Sequence, residues 1–445
     1  MRYPVVFMSP VVFMSPVVFI SIVFMSVVCT LAVWQAQAAE GDDTRQQMIF
    51  LQTTTEASDS KPVVAMQQKV RRYLQKALQG NAPLLTRTVM DNAPYLSEPW
   101  DDLRWLKAAN YRFNSTAQLQ DSITLLLGFR ALPADVLQEN MAIVERINQD
   151  ASPALRQKAL IDAENTRYLY ALAEALGPKL GEAFLDVYQQ GEIGKAAVLI
   201  KASNVSTSAA KNAFNYPRPF KQPGNHIHLV PDTAVVMDKQ PYTASDGAFP
   251  SGHTSGGFNT ALLMGQMLPE RFVPLIDRAA TYGYSRLVLG VHYPLDVVGG
   301  RMMAERNVAY ILNDPEYRVL FNDAKTQLRA ALEKACGTTL AECAKPQGKN
   351  DPYTDPAMKS FYRYTMTYNL PVAEVIAQPI TVPEGAEALL EGPLPQLSAA
   401  QRRALMAKTA IDDGYPLSSG GEDANFWQRL NLHDAVEAAE QSVKQ

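Results

Sequence analysis

Three stretches of this chain combine residue types that handle oxyanions. The first is KNAFNYPRPF, residues 211–220, where Lys211 and Arg218 stand seven positions apart. Seven positions are close to two helical turns, so the two cations would share one face of a helix that Pro217 and Pro219 then end. A solvated surface pair is the alternative. The second stretch is FPSGHTSGGF, residues 249–258. Ser251 is placed to cap a helix that begins behind Pro250, which leaves the amides of Gly252 and His253 at the positive end of the helix dipole. His253 adds a proton donor effective near neutral pH. A capped helix start with a solvent-facing imidazole is the plainer alternative. The third is YSRLVLGVHYPLDVVGG, residues 284–300. Pro294 suits the first turn of a helix, with His292 just before it and Asp296 within reach of the imidazole. A carboxylate on one ring nitrogen fixes the tautomer and leaves the other nitrogen as a nucleophile. Arg286 offers a planar fork for anion oxygens. A structural His–Asp cap is the alternative here.

Taken together, the stretches supply cations, two imidazoles, a carboxylate and a helix N-terminus. That set is sufficient for phosphoryl transfer without a metal: a nucleophile, an acid for the leaving group and cations for the equatorial oxygens.

The elements that must position these groups read as helices. Apolar residues recur at helical spacing over 63–78, 134–148, 153–176 and 181–191, and again over 254–267, 272–286, 294–312 and 315–335. No series of alternating strands appears, so the fold class is all-α. Residues 217–249, rich in proline and glycine, read as a long loop of the kind that serves a site. Residues 344–356 read as a linker. A capped helix is expected over 397–411, in a tail that shows no chemistry of its own.

The chain has 445 residues, 47% apolar and 19% charged, with a net charge of −4. A general nucleic-acid-binding role is excluded by that balance, and any anion must be held by a local cluster of cations. Residues 1–39 carry a single charge, Arg2, and end in Ala36-Gln37-Ala38, the small-x-small pattern of a secretory signal. The hexamer VVFMSP occurs twice there, which makes the segment longer than a usual signal and opens a start at Met14 or Met25. An uncleaved anchor is the alternative, disfavoured by Pro10 and Pro16. Once Cys29 leaves with the signal, Cys336 and Cys343 remain, and in an exported chain such a pair points to a local disulfide, with buried or free thiols as the alternative. Two cysteines make no zinc site.

Lys211 to Pro219, Pro250-Ser251-Gly252-His253, and Ser285-Arg286 with His292 and Asp296 resemble, in order and spacing, the three-part signature of the type 2 phosphatidic acid phosphatase superfamily. The flanks GAFPSGHTSGG and RLVLGVH resemble most the bacterial class A nonspecific acid phosphatases. The resemblance covers roughly residues 130–335. It implies a helical bundle of the acid phosphatase/vanadium haloperoxidase type and a periplasmic or secreted enzyme acting on small phosphomonoesters. By position it implies His292 as nucleophile through a phosphohistidine, Asp296 orienting it, and His253 as acid and then base. Lys211, Arg218, Arg286, Ser251 and Gly252 would hold the phosphoryl oxygens. No metal is implied, although vanadate could occupy the same site. The expected organisation is a signal at 1–39, an N-terminal helical extension at 40–129, a catalytic domain at 130–343 and a C-terminal extension at 344–445. Nothing implies nucleic acid or stable membrane insertion after signal removal; a homo-oligomer stays open.

A vanadium-dependent haloperoxidase is the main rival, since it shares fold and oxyanion site. A membrane lipid phosphatase would need several spans, and a phosphate-binding module would need only the cations. His226 and His228 could bind zinc, but no third ligand is evident, so a loop role is expected. His433 is expected at the surface of a C-terminal helix. Tyr216, Tyr242 and Phe249 are candidates for either the pocket mouth or the core.

Overall fold

The computed structural model describes residues 102–163, 169–228, 247–373 and 380–444. The leader, the helix expected over 63–78 and Tyr242 lie outside them. Among the described residues every regular element is a helix, in line with the all-α reading.

The helix Gly252–Met267 sits at the centre, with nearly every residue buried. Its apolar residues are not confined to one face, as suits a helix inside a bundle, and it is flanked by Phe272–Val288 and Pro294–Leu312. Glycines let the three backbones approach. A Cβ on Gly300 would stand 2.6 Å from the Ser251 carbonyl oxygen, and one on Gly283 2.6 Å from Val297 Cγ1. Gly257 is pressed as tightly against the Tyr282 ring. These contacts set the separation between the helix that carries His253 and those that carry Arg286 and Asp296.

Outer helices complete the bundle. Pro315–Cys336 packs on Gly194–Ala202 and Pro178–Gln189, and Ala134–Asp150 packs on Phe272–Val288. Cys336 and Cys343 form a disulfide with Cα atoms 6.1 Å apart. Among the described residues no helix is long and apolar enough to cross a membrane.

Three expectations are corrected. The single helix expected over 153–176 is α-helical at Pro153–Ala163 and Leu169–Leu172 but closes in a 3-10 turn at Ala173–Leu176, with residues 164–168 outside the described ones. Two arginines hold its last turns from the side. Arg278 Nε donates to Ala171 O at 2.6 Å and Arg271 Nε to Ala175 O at 2.8 Å. Secondly, the linker reading of 344–356 gives way to a docked segment, because Asp351 is buried in a bidentate pair with Arg271, at 2.6 and 2.9 Å. The residues beyond it lie on the core: Ala357–Thr365 and Leu432–Lys444 on Phe272–Val288, and Glu422–Arg429 on Pro294–Leu312. Thirdly, His433 is not at the surface. It is 8% exposed, and its Nδ1 lies 2.9 Å from Asp277 Oδ1. The capped helix in the tail is present as Ala399–Thr409, with Ser398 accepting from Gln401 N.

Candidate active site

The turn after Phe272–Val288 brings His292 to the start of the Pro294–Leu312 helix. Gly290 makes the turn possible at φ +67°, a conformation that side chains resist. Its Cβ would also strike Ile227 Cγ2 at 2.3 Å. His292 is 1% exposed, and its Nδ1 lies 3.0 Å from Asp296 Oδ2. The same carboxylate oxygen accepts the Tyr293 N–H at 2.8 Å.

On the other side of the ring, Arg218 Nη1 stands 3.1 Å from His292 Nε2. A guanidinium can only donate, so Nε2 is the acceptor and carries no proton. The ring proton is therefore on Nδ1, donated to Asp296. Burial is the first cause that holds the His292 pKa well below its ordinary value, and Arg218, Lys211, Arg286 and His253 push the same way. A buried imidazole among cations stays neutral, with its Nε2 lone pair available. Burial pushes the Asp296 carboxyl up to about 7, against the pull of the Tyr293 N–H, Arg218 and Lys211.

Ser251 caps the central helix, its Oγ accepting from Thr254 N at 3.2 Å and from Thr254 Oγ1 at 3.0 Å. Its own N–H donates to Asp296 O at 2.9 Å, which ties the second stretch to the third. Gly252 opens the helix, and His253 follows it, 2% exposed. The first amides of a helix have no intrahelical acceptor and face outward from its positive end. Gly252 meets Thr207, whose Oγ1 would lie 2.9 Å from an added Cβ, so close backbone approach is required on that side as well.

The first stretch reaches the site differently from expectation. The helix Ser208–Phe214 ends before Arg218: Asn215 takes a left-handed φ of 46°, and Arg218 is extended at φ −69°, ψ 154°. Lys211 and Arg218 thus share no helix face. The prolines straighten the chain, and the loop, not the helix, aims the guanidinium, which also donates to Val291 O at 2.9 Å. Both residues are nonetheless buried, at 7% and 2% exposure, and both act on the His292 ring.

Arg286 lies in the last turn of Phe272–Val288, 1% exposed. Among the described residues its Nε and Nη1 find no hydrogen-bond partner. Lys211, Arg218, His253 and Arg286 all bear on the His292–Asp296 pair, with the cap of Ser251 alongside. All eight residues named from the sequence fall within this one cluster.

The remaining candidates separate. Phe249 is core: fully buried, it stacks on Phe129 at 3.9 Å between centroids. Tyr216 packs against Tyr293 at 5.0 Å. His226 is largely exposed beside Glu145, and among the described residues no three His, Cys, Asp or Glu side chains stand together as metal ligands. Tyr293 and Thr207 were missed. The only signal for either was adjacency to a motif.

The stretch that holds this cluster is similar to known proteins. Residues 193–319 match the PAP2 superfamily. An acid phosphatase of Zymomonas mobilis is 30% identical over 126 residues, 28% of this chain and 45% of the relative. A non-specific acid phosphatase of Providencia stuartii is 31% identical over 134 residues, 30% of this chain and 50% of the relative. An undecaprenyl-diphosphatase, BcrC, of Bacillus subtilis is 33% identical over 90 residues, 20% of this chain and 39% of the relative. The chain thus spans no more than half the length of the curated relatives it matches. Since every residue of the cluster falls inside the matched span, residues 193–319 of this chain are a PAP2 superfamily domain.

Proposed function

We propose that the chain is an exported acid phosphatase that hydrolyses phosphomonoesters through a phosphohistidine. One observation carries the reading: a neutral His292, its Nε2 unprotonated, lies under three buried cations, one of which, Arg286, has unmatched donors. Such a pocket is built for an oxyanion that a nitrogen can attack.

In this reading Lys211, Arg218 and Arg286 hold the phosphoryl oxygens, with Ser251 and the Gly252 amide. Arg218 exchanges the Nε2 lone pair for a phosphoryl oxygen when substrate binds. Nε2 then attacks phosphorus, and the bond to the leaving oxygen breaks. His253 donates a proton to that oxygen. The positive charge that develops on the His292 ring is balanced by Asp296 through Nδ1–H. In the second half His253 takes a proton from water, the water oxygen attacks phosphorus, and the P–N bond breaks. His253 must begin protonated and Asp296 ionised, so the rate falls on the acid side as Asp296 takes a proton and on the alkaline side as His253 loses one.

The test is p-nitrophenyl phosphate turnover in metal-free buffer by wild type and His292→Ala, with radiolabelled phosphate trapped on the protein after acid quench. Hydrolysis by wild type, none by the variant, and an acid-labile label that withstands alkali are expected. Bromide oxidation by vanadate-loaded protein without phosphate release would refute the reading, as would a rate maximum in alkaline buffer.

A further inference from the structure

Resting on that reading, we propose that Tyr293 is a positioning residue that sets the Arg218 guanidinium against the His292 ring. Arg218 sits on a loop that runs along the surface: Pro217 before it and Lys221 after it are exposed, while Arg218 itself is buried. Such a loop needs an anchor from below, and Tyr293 supplies three contacts. Its hydroxyl donates to Pro217 O at 3.1 Å and accepts from Gln222 Nε2 at 3.0 Å. Its ring packs on Tyr216 at 5.0 Å. These partners bracket Arg218 on both sides in the chain.

The other end of Tyr293 belongs to the nucleophile. Its N–H donates to Asp296 Oδ2, the atom that orients His292 Nδ1. One fully buried residue therefore joins the segment that carries Arg218 to the segment that carries His292 and Asp296. The loop has other anchors, Ala248 N on Tyr216 O at 2.7 Å and the bond from Arg218 to Val291 O. These hold the loop in place. The Tyr293 hydroxyl decides where along its length Arg218 falls. A displacement of about 1 Å in such a pocket costs up to about 100-fold in rate.

Tyr293→Phe removes the hydroxyl and keeps the ring packing and the backbone N–H. The expected result is a fall of about 10-fold in kcat/KM for p-nitrophenyl phosphate, with orthovanadate inhibition weakened by a similar factor. The deciding measurement is the cycle with Arg218→Ala. If Tyr293 acts through Arg218, the double variant is no more than about 2-fold worse than Arg218→Ala alone. Full additivity overturns the proposal, as does a Tyr293→Phe variant within about 2-fold of wild type. Should Tyr293→Phe fold poorly, Gln222→Met removes a donor to the same hydroxyl from the solvent side. It is expected to lower kcat/KM about 3-fold in wild type and to add nothing in Arg218→Ala; independence from Arg218 again refutes. Orthovanadate binding by thermal shift separates the two readings. A wild type that binds orthovanadate without turnover refutes the hydrolase, and the same cycle, read in orthovanadate affinity, still decides on Tyr293.

Discussion

Replacing Asp296 by Asn tests the centre of the chemistry with the least change in shape. Asp296 Oδ2 accepts from both His292 Nδ1 and the Tyr293 N–H, while Oδ1 has no partner among the described residues. An asparagine can turn its carbonyl oxygen to the two donors and leave its amide where Oδ1 was, so both hydrogen bonds survive. The opposite rotamer would force a proton onto Nε2, facing Arg218 Nη1 at 3.1 Å, donor against donor. What the variant loses is the charge. With charge centres about 4 Å apart and an effective dielectric of about 20, a carboxylate stabilises a developing imidazolium by roughly 4 kcal/mol. At about 1.4 kcal/mol per decade that is close to 10³-fold; the amide dipole returns part of it, so a loss of about 10² to 10³ in kcat is expected. Rapid-quench kinetics should show the first turnover slowed and the burst of p-nitrophenol gone. The pH profile gives an independent reading. In wild type kcat/KM must fall on the acid side as Asp296, its carboxyl pushed up to about 7 by burial, takes its proton. The variant has nothing to protonate there, so its acid limb should flatten. A loss under about 10-fold with an unchanged acid limb would refute the assignment of Asp296.

Asp351→Ala strands the Arg271 guanidinium, 1% exposed, without its carboxylate, and should cost about 3–5 kcal/mol in chemical denaturation. Asp277 and His433 make stability depend on pH. Burial lowers the His433 pKa, but Asp277, Asp434 and Glu437 outweigh it, and the folded value lies above the ordinary one. A raised histidine contributes stability that is complete below its unfolded pKa and is lost as pH rises through the folded value. Thermal melts of wild type should therefore fall as pH climbs above about 6.5, and His433→Gln should flatten that slope; a slope unchanged in the variant would contradict the pairing. Gly300→Ala pushes a methyl toward the Ser251 carbonyl, 2.6 Å from where it would sit. It should cost about 1–3 kcal/mol and lower kcat together with stability, by spreading the Ser251 cap away from Asp296.

The parts that were legible in the sequence are those in which local chemistry and local geometry coincide. Ser251 behind Pro250 reads as a cap, and it caps. His292 and Asp296 around Pro294 read as a pair, and they meet. The Pro294–Leu312 helix spans the range expected from its apolar pattern. Lys211 and Arg218 were found through residue type, but the geometry that joins them is a loop held by Tyr293, and no periodicity describes that. The 3-10 close of 153–176 was not legible either, since Arg271 and Arg278, distant in the chain, take up the carbonyls of Ala175 and Ala171 there. The docking of the described residues beyond 344 follows the same logic. Asp351 in a Pro-rich stretch and His433 on an amphipathic helix look solvent-facing until their partners, Arg271 and Asp277, are known.

Those partners also single out Arg286. Three other buried arginines, Arg271, Arg278 and Arg301, each meet a carboxylate: Asp351, Asp162 and Glu305. Arg286, as deeply buried, leaves Nε and Nη1 without a partner among the described residues. A guanidinium desolvated in this way destabilises the fold until an anion reaches it. Two consequences of opposite sign follow. Arg286→Met fills the same volume without the charge, so in phosphate-free buffer the variant should be more stable than wild type, by about 1–3 kcal/mol. With inorganic phosphate at a hundredfold excess over its Kd, wild type should gain about 2.7 kcal/mol, and the variant far less. Thermal melts over a phosphate titration would measure both effects. A variant less stable than wild type without phosphate would mean that Arg286 is held by the fold itself, and one still stabilised to the same degree by phosphate would mean that Arg286 does not hold the anion.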